Sequence, residues 1–170
     1  MKFVMSLVFI VFSTLIYANP IHKYSPAYVK INVEKFNSES ITCLTKAIYF
    51  ESNTQPRVGM YAVAEVILNR VRSDKFPDSI CGVVTQRTTH EYKLCQFSYF
   101  CDGRPEKVLS QMMYRKCKEI AILAILNQDK KITKGATHYH ATYVTPYWSK
   151  TLVKTIRIGD HIFYREDESS

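Results

Sequence analysis

The stretch MYAVAEVILNRVRS, Met60 to Ser73, is apolar on nearly every side of a helix. A helix of that kind has no broad face to offer water and is expected to run through the middle of a domain. The rest of the chain must then wrap it. Glu65, Asn69 and Arg72 alone share a polar face, where Arg72 is a candidate partner for Glu65. Ahead of it, CLTKAIYFES reads as a second helix running from about Ser40, a suitable N-cap, to Glu51. Leu44, Ala47 and Ile48 form its buried stripe, while Thr45, Lys46, Tyr49 and Ser52 fall on the other side. The next position on the stripe is a carboxylate, Glu51.

SNTQPRVG separates these helices, with Pro56 and Gly59 as breakers. DKFPDSICGVV reads as a loop leading into a short apolar run, and CQFSYFCDGRP as a strand or hairpin closed at Asp102-Gly103. KVLSQMMYRKCKEIAILAILNQ is a long amphipathic helix, expected to pack through Val108, Leu109, Met112, Ile120, Leu123 and Ala124. The segment from Gly135 to Arg165 is rich in β-branched and aromatic residues, with turns at Thr145-Pro146 and Gly159-Asp160. Helices first and strands later predict an α+β fold of one domain.

Residues 1–18 have the layout of a secretory signal peptide: Lys2, then an apolar run ending in Ile16-Tyr17-Ala18. The competing reading is a retained anchor, although the run is shorter than the roughly 20 apolar residues that span a bilayer. Residues 19–39 form an extended lead-in with a short strand at YVKINV, residues 40–165 the domain, and residues 166–170 an acidic tail. Loss of Lys2 leaves 22 basic against 15 acidic residues, so the exported chain carries +7. Outside the cytoplasm the partner for that charge is a cell wall, an anionic membrane face or an acidic polysaccharide rather than nucleic acid. Five cysteines in an oxidising compartment permit disulfides and leave at least one thiol unpaired. Both Cys95 to Cys101 and Cys81 to Cys95 are short enough for local closure.

Glu51 has two readings from periodicity alone. Burial and a helix C-terminus both disfavour its ionisation, which suits a general acid; a pairing with Arg57, Arg70 or Arg72, or simple fraying, would make it ordinary. His138 and His140 share one face of a strand and could form a metal half-site, with His161 as a third ligand. The upstream H-x-x-x-D of a wall-cleaving zinc peptidase is missing, however: His22 and His90 are followed by Pro26 and Leu94 at that spacing. Cys95 or Cys101 with a histidine could form a thiol nucleophile, but disulfide use fits an exported chain better. No phosphate-cradling loop, dinucleotide fingerprint or catalytic-serine motif occurs. Tyr49, Phe97, Tyr99, Tyr139, Tyr143, Tyr147 and Trp148 lie near the polar motifs, and aromatic planes beside hydroxyl and amide groups suit the apolar faces of sugar rings.

CLTKAIYFESNTQPRVGMYAVAEVILNRV, FPDSICGVV, CQFSYFCDG, KGATHYHATYVTPYW and IGDHIFYR, in that order, resemble the SleB-type cell wall hydrolases, the family that includes spore-cortex-lytic enzymes. The resemblance covers about Cys43 to Arg165. It implies a helix-rich lysozyme-like domain with a small antiparallel β region, and cleavage of peptidoglycan between N-acetylmuramic acid and N-acetylglucosamine. It also implies that Glu51 is the catalytic acid, and that Gln96, Ser98, Thr137, His138 and Tyr139 contact substrate. One departure is the turn after Glu51, SNTQP, where many members have a small residue and then RGEP; this alters the groove edge.

Two-carboxylate hydrolysis needs a second acid at a set separation. Asp102, Asp74, Asp78 and Glu65 do not announce themselves as that group. A lytic transglycosylase needs no such group, and the resemblance to SleB-like enzymes implies this course, in which the muramoyl 6-hydroxyl attacks the anomeric carbon and Glu51 serves as acid and then base. Such a protein is expected to be secreted or periplasmic, to act as a monomer on peptidoglycan glycan strands without a cofactor, and to leave the membrane after signal cleavage. The alternatives are a non-catalytic wall-binding protein and a metallopeptidase using His138 and His140.

Overall fold

A computed structural model describes residues 37–87 and 95–167. The signal segment, most of the lead-in with its expected strand, His22, His90 and residues 168–170 lie outside the described residues. Among the described residues four helices come first: α1 (Ser38–Ser52), α2 (Arg57–Arg72), the short α3 (Ile80–Val84) and α4 (Gln111–Leu126). Strands β1 (His138–Ala141), β2 (Val153–Ile158) and β3 (His161–Arg165) follow, in the antiparallel order β1-β3-β2. The chain is therefore α+β, as expected.

α2 is buried on opposite sides. Met60, Val63, Ala64 and Ile67 pack into the main core with Leu44, Ala47 and Ile48 of α1, Ile80 and Val83 of α3, and Ile120, Ala121 and Ala124 of α4. Ala62 and Val66 meet a second core made by Ala136 and Phe163, with Ile156 and Ile158 at its margin. This helix lies between a helical layer and a sheet, which is why it could spare so few polar positions. Truncating the fully buried Phe163 to alanine would cost about 3–5 kcal/mol.

Glu65, Asn69 and Arg70 of this helix face protein rather than water. Glu65 is 4% exposed and accepts hydrogen bonds from Ile132 N (3.0 Å), Thr133 N (3.1 Å) and Thr133 Oγ1 (2.6 Å). Asn69 Nδ2 donates to Ala136 O at 2.8 Å, and Arg70 Nε to Thr137 O at 2.6 Å. Three side chains of α2 thus hold the incoming segment 132–137 and aim β1. The expected Glu65–Arg72 pair does not form, because Arg72 turns to Asn69 and Gln128.

Other local expectations also change. α1 begins at Ser38 rather than Ser40, capped by Asn37 Oδ1 on Ser40 N at 2.8 Å. Thr45, Tyr49 and Ser52, placed on the polar side by periodicity, are buried because α3 and α4 cover that side of α1. Thr45 and Ser52 satisfy their hydroxyls on Ile41 O and Ile48 O, and Tyr49 Oη accepts from Leu109 N and Ser110 N. α4 starts after Ser110, so Leu109 before it and Met112 in its first turn stand 83% and 80% exposed instead of in the core. CQFSYFC is not a hairpin: it holds a 3₁₀ turn at Ser98–Phe100. Cys95 and Cys101 close that turn in a disulfide, Cys43 and Cys81 join α1 to α3, and Cys117 is a buried free thiol.

Candidate active site

α1 ends at Ser52, and Glu51 in its last turn faces a cavity of about 530 Å³. The Ser98–Phe100 turn closes one wall with Gln96, Phe97, Ser98 and Tyr99; β1 and the residues after it supply Tyr139, His140, Tyr143 and Val144; β3 supplies His161. Helix end, disulfide-closed turn and sheet edge meet there.

The Tyr139 hydroxyl donates to Glu51 Oε2 at 3.1 Å. Among the described residues Glu51 makes no direct ion pair: Arg57 reaches toward Glu119, and Arg72 is engaged elsewhere. Burial raises the Glu51 pKa above its ordinary value, opposed in part by the Tyr139 hydrogen bond and by the positive charge of Arg70. The carboxyl is therefore biased toward its protonated form yet keeps one oxygen fixed by a donor. Tyr139 is held in its neutral form by burial and by the neighbouring carboxylate.

Arg70 is 2% exposed, its guanidinium carbon lying 5.2 Å from the Phe76 ring centroid and 5.6 Å from that of Phe97. Burial lowers its pKa to about 10, which leaves it charged at neutral pH. It forms part of the cavity wall as a fixed cation.

Of the six site residues expected from sequence, Glu51, Gln96, Ser98 and Tyr139 share this cavity. Thr137 and His138 do not. Thr137 borders a separate depression of about 520 Å³ with Asn69, Arg72 and Gln128. The His138 ring packs between Phe76 and Trp148, with Nδ1 3.0 Å from Thr137 Oγ1. Burial and the nearby Arg70 charge lower its pKa to about 4. The GATHY motif is thus divided: Thr137 precedes β1 and faces the other depression, His138 is taken up by Phe76 and Trp148, and only Tyr139 enters the cavity.

His138 and His140 flank Trp148 at 5.4 and 5.6 Å. His140 directs Nδ1 to Ala141 O (2.9 Å) and Nε2 to the Tyr164 hydroxyl (3.0 Å), so both its ring nitrogens already have protein partners. Among the described residues, no group of three or more His, Cys, Asp and Glu is placed to hold a metal ion. Of the aromatics, Phe97, Tyr99, Tyr139 and Tyr143 line the cavity, with Phe50 stacked on Tyr99 at 4.7 Å. Tyr143 is 86% exposed at the rim. Tyr49 is core, Trp148 packs against Tyr164, and Tyr147 points to solvent away from the cavity.

Arg70, which by sequence is only a possible ion-pair partner, His161, a possible third metal ligand, and Asp102, a turn residue, all line the cavity. Arg70 did leave a signal, being a cation inside a helix that is otherwise buried. The altered turn after Glu51 has a structural use as well: Gln55 Oε1 accepts from Asp160 N (3.0 Å), and Gln55 Nε2 donates to Asp160 Oδ2 (3.2 Å). The β2–β3 turn is thereby tied to the end of α1.

A family model described as Cell Wall Hydrolase matches residues 54–164. The chain is similar to the spore cortex-lytic enzyme of Halalkalibacterium halodurans, 33% identical over 143 residues that cover 78% of this chain and 38% of that protein. With the spore cortex-lytic enzyme of Bacillus subtilis it is 28% identical over 128 residues, 75% of this chain and 38% of that one. The chain thus spans about two fifths of the length of these curated relatives. Among solved structures, the catalytic domain of the germination-specific lytic transglycosylase SleB from Bacillus anthracis superposes with a TM-score of 0.61 at 29% identity, covering 76% of this chain and 97% of that one. The catalytic domain of Bacillus cereus SleB gives 0.59 at 29% identity, covering 76% and 91%.

Proposed function

The chain belongs to the SleB-type cell wall hydrolase family, and from that premise we propose that it cleaves peptidoglycan glycan strands between N-acetylmuramic acid and N-acetylglucosamine as a lytic transglycosylase. The observation that carries this reading is the half-buried Glu51, a carboxyl of raised pKa that faces an open cavity and receives one hydrogen bond from Tyr139. A protonated glutamate can donate to the departing glycosidic oxygen, a leaving group too poor to go without a proton.

In the first half of the reaction, the bond between the muramoyl anomeric carbon and the bridging oxygen breaks as Glu51 gives that oxygen its proton. The muramoyl 6-hydroxyl then attacks the anomeric carbon and returns its proton to the Glu51 carboxylate. A 1,6-anhydromuramoyl end results, no water is consumed and Glu51 ends as it began. Tyr139, donating to one carboxylate oxygen, and the fixed charge of Arg70 stabilise the anion that exists between the two transfers. Gln96, Ser98 and the aromatic wall would hold the sugars; Thr137 and His138 would act by shaping β1, since neither lines the cavity. The second carboxylate on the cavity wall, Asp102, is exposed and accepts from Arg104 N at 2.9 Å.

Action on the wall places the protein outside the cytoplasm, which agrees with the signal-like residues 1–18 and with two disulfides. Among the described residues no helix is long and apolar enough to cross a membrane. The test is mass spectrometry of products from purified sacculi. Anhydromuramoyl ends are expected from the wild-type chain and none from a Glu51→Gln variant that unfolds at a comparable temperature. Free stem peptides, or activity surviving Glu51→Gln, would overturn the reading.

A further inference from the structure

His161 opens β3 on the wall of the Glu51 cavity and is 7% exposed, yet its Nδ1 has no hydrogen-bond partner. A buried ring nitrogen left without a partner is unfavourable unless something meets it. Its ring meets Tyr139 edge-on at 5.0 Å, and Tyr139 in turn donates to Glu51. The imidazole is one ring removed from the carboxyl.

Its place is firmly set. His161 pairs with Ala141 of β1 and Ile158 of β2, and the preceding residue, Asp160, is held from two sides by Gln55 just beyond α1. Gly159 turns the chain there with φ +56°, and a Cβ added to it would lie 2.3 Å from Gln55 Oε1. The hairpin that carries His161 is thus locked to the helix end that carries Glu51. Arg70 has an unpartnered Nη1 on the same wall, but its Nε bond to Thr137 O and its contacts with Phe76 and Phe97 already give it a structural use.

We infer that His161 is a substrate-binding residue whose ring forms a hydrogen bond with a sugar hydroxyl of the glycan strand lying against Glu51. This rests on the proposed glycan cleavage. A hydroxyl fits because it both donates and accepts, so it can meet the ring nitrogen in either tautomer of a neutral imidazole. Burial lowers the pKa of the ring and so favours its neutral form, opposed in part by Asp160 and aided to a smaller degree by His140.

The test uses soluble glycan strands freed of stem peptides, with kcat and KM measured for the wild-type chain, His161→Phe and His161→Asn. Loss of one such hydrogen bond predicts about a tenfold rise in KM for His161→Phe with little change in kcat, and a melting temperature no lower than wild type. His161→Asn, which keeps a polar atom near the position of Nδ1, should recover most of the affinity. An unchanged KM in His161→Phe, or an equal rise in KM with an equal drop in melting temperature in both variants, would overturn the inference. Should the phenylalanine variant not fold, the ¹⁵N resonances of His161 in Glu51→Gln give a second reading: a shift in the ring nitrogens on adding glycan strands supports the contact, and none refutes it. Failure of the parent reading is separate, since it would show as no cleavage by the wild-type chain or as activity in Glu51→Gln.

Discussion

The Tyr139 hydroxyl donates to Glu51 Oε2 across 3.1 Å, joining the first strand to the last turn of the first helix over 88 residues of sequence. That bond lowers the Glu51 pKa against the larger upward effect of burial. Tyr139→Phe removes it, so the Glu51 pKa should rise further. An acid must be protonated to act, so the alkaline limb of the pH–rate profile should move to higher pH while the maximum rate falls. Measuring cleavage of sacculi from pH 4 to 9 would check both; a limb that moves to lower pH contradicts the assignment.

Glu51 should also leave a mark on stability. The folded state holds its proton more tightly than the unfolded chain, so this contribution is complete below the ordinary glutamate pKa of about 4.3 and is lost as pH rises through the folded value. Glu51→Gln carries no such loss. Relative to wild type, its unfolding free energy should improve as pH is raised from 4 to 8, as denaturant titrations would show.

His138 has the opposite sign. Its folded pKa is lowered to about 4 by burial, so its contribution is present above the unfolded value near 6.5 and disappears as pH falls toward 4. His138→Gln should flatten the stability profile in that window, and it should leave the alkaline limb of activity in place.

Asp102 separates the two glycosidase chemistries. If water were activated by a second carboxylate, Asp102→Asn should abolish cleavage. Transglycosylation through Glu51 alone predicts that anhydromuramoyl products persist, within about tenfold of the wild-type rate. Product mass spectrometry decides between them.

Cys43–Cys81 ties α1 to α3 across 38 residues. By the chain-entropy model such a link contributes about 3–4 kcal/mol. The Cys43→Ala/Cys81→Ala variant should lose stability of that order in urea titrations. Glu65→Ala should cost about 3 kcal/mol or more, because it strands three donors at Ile132 and Thr133.

Helix α2 was legible because its pattern is local: Ala62 and Val66 on one side and Val63 and Ile67 on the other leave no wide polar face. Glu51 was legible by the same means, as a charge on an apolar stripe. Periodicity misplaced Thr45 and Tyr49, because it records contrast between faces and α1 is covered on the side they occupy. The disulfide-closed turn at Ser98 resembled a strand for want of any long-range signal in six residues.

What the sequence alone determined is the order of elements, the central buried helix and the carboxyl at the end of α1, all set by spacing within a few turns. Tertiary structure decided which residues share the cavity with that carboxyl. Tyr139 reaches Glu51, and His161 joins the same cavity wall, because Glu65, Asn69 and Arg70 hold segment 132–137 and Gln55 holds Asp160. Thr137 and His138, adjacent to Tyr139 in sequence, are turned elsewhere. Hydrogen-bond partners 67 to 105 residues apart cannot be read from a local period, since the bond depends on where two distant segments come to lie.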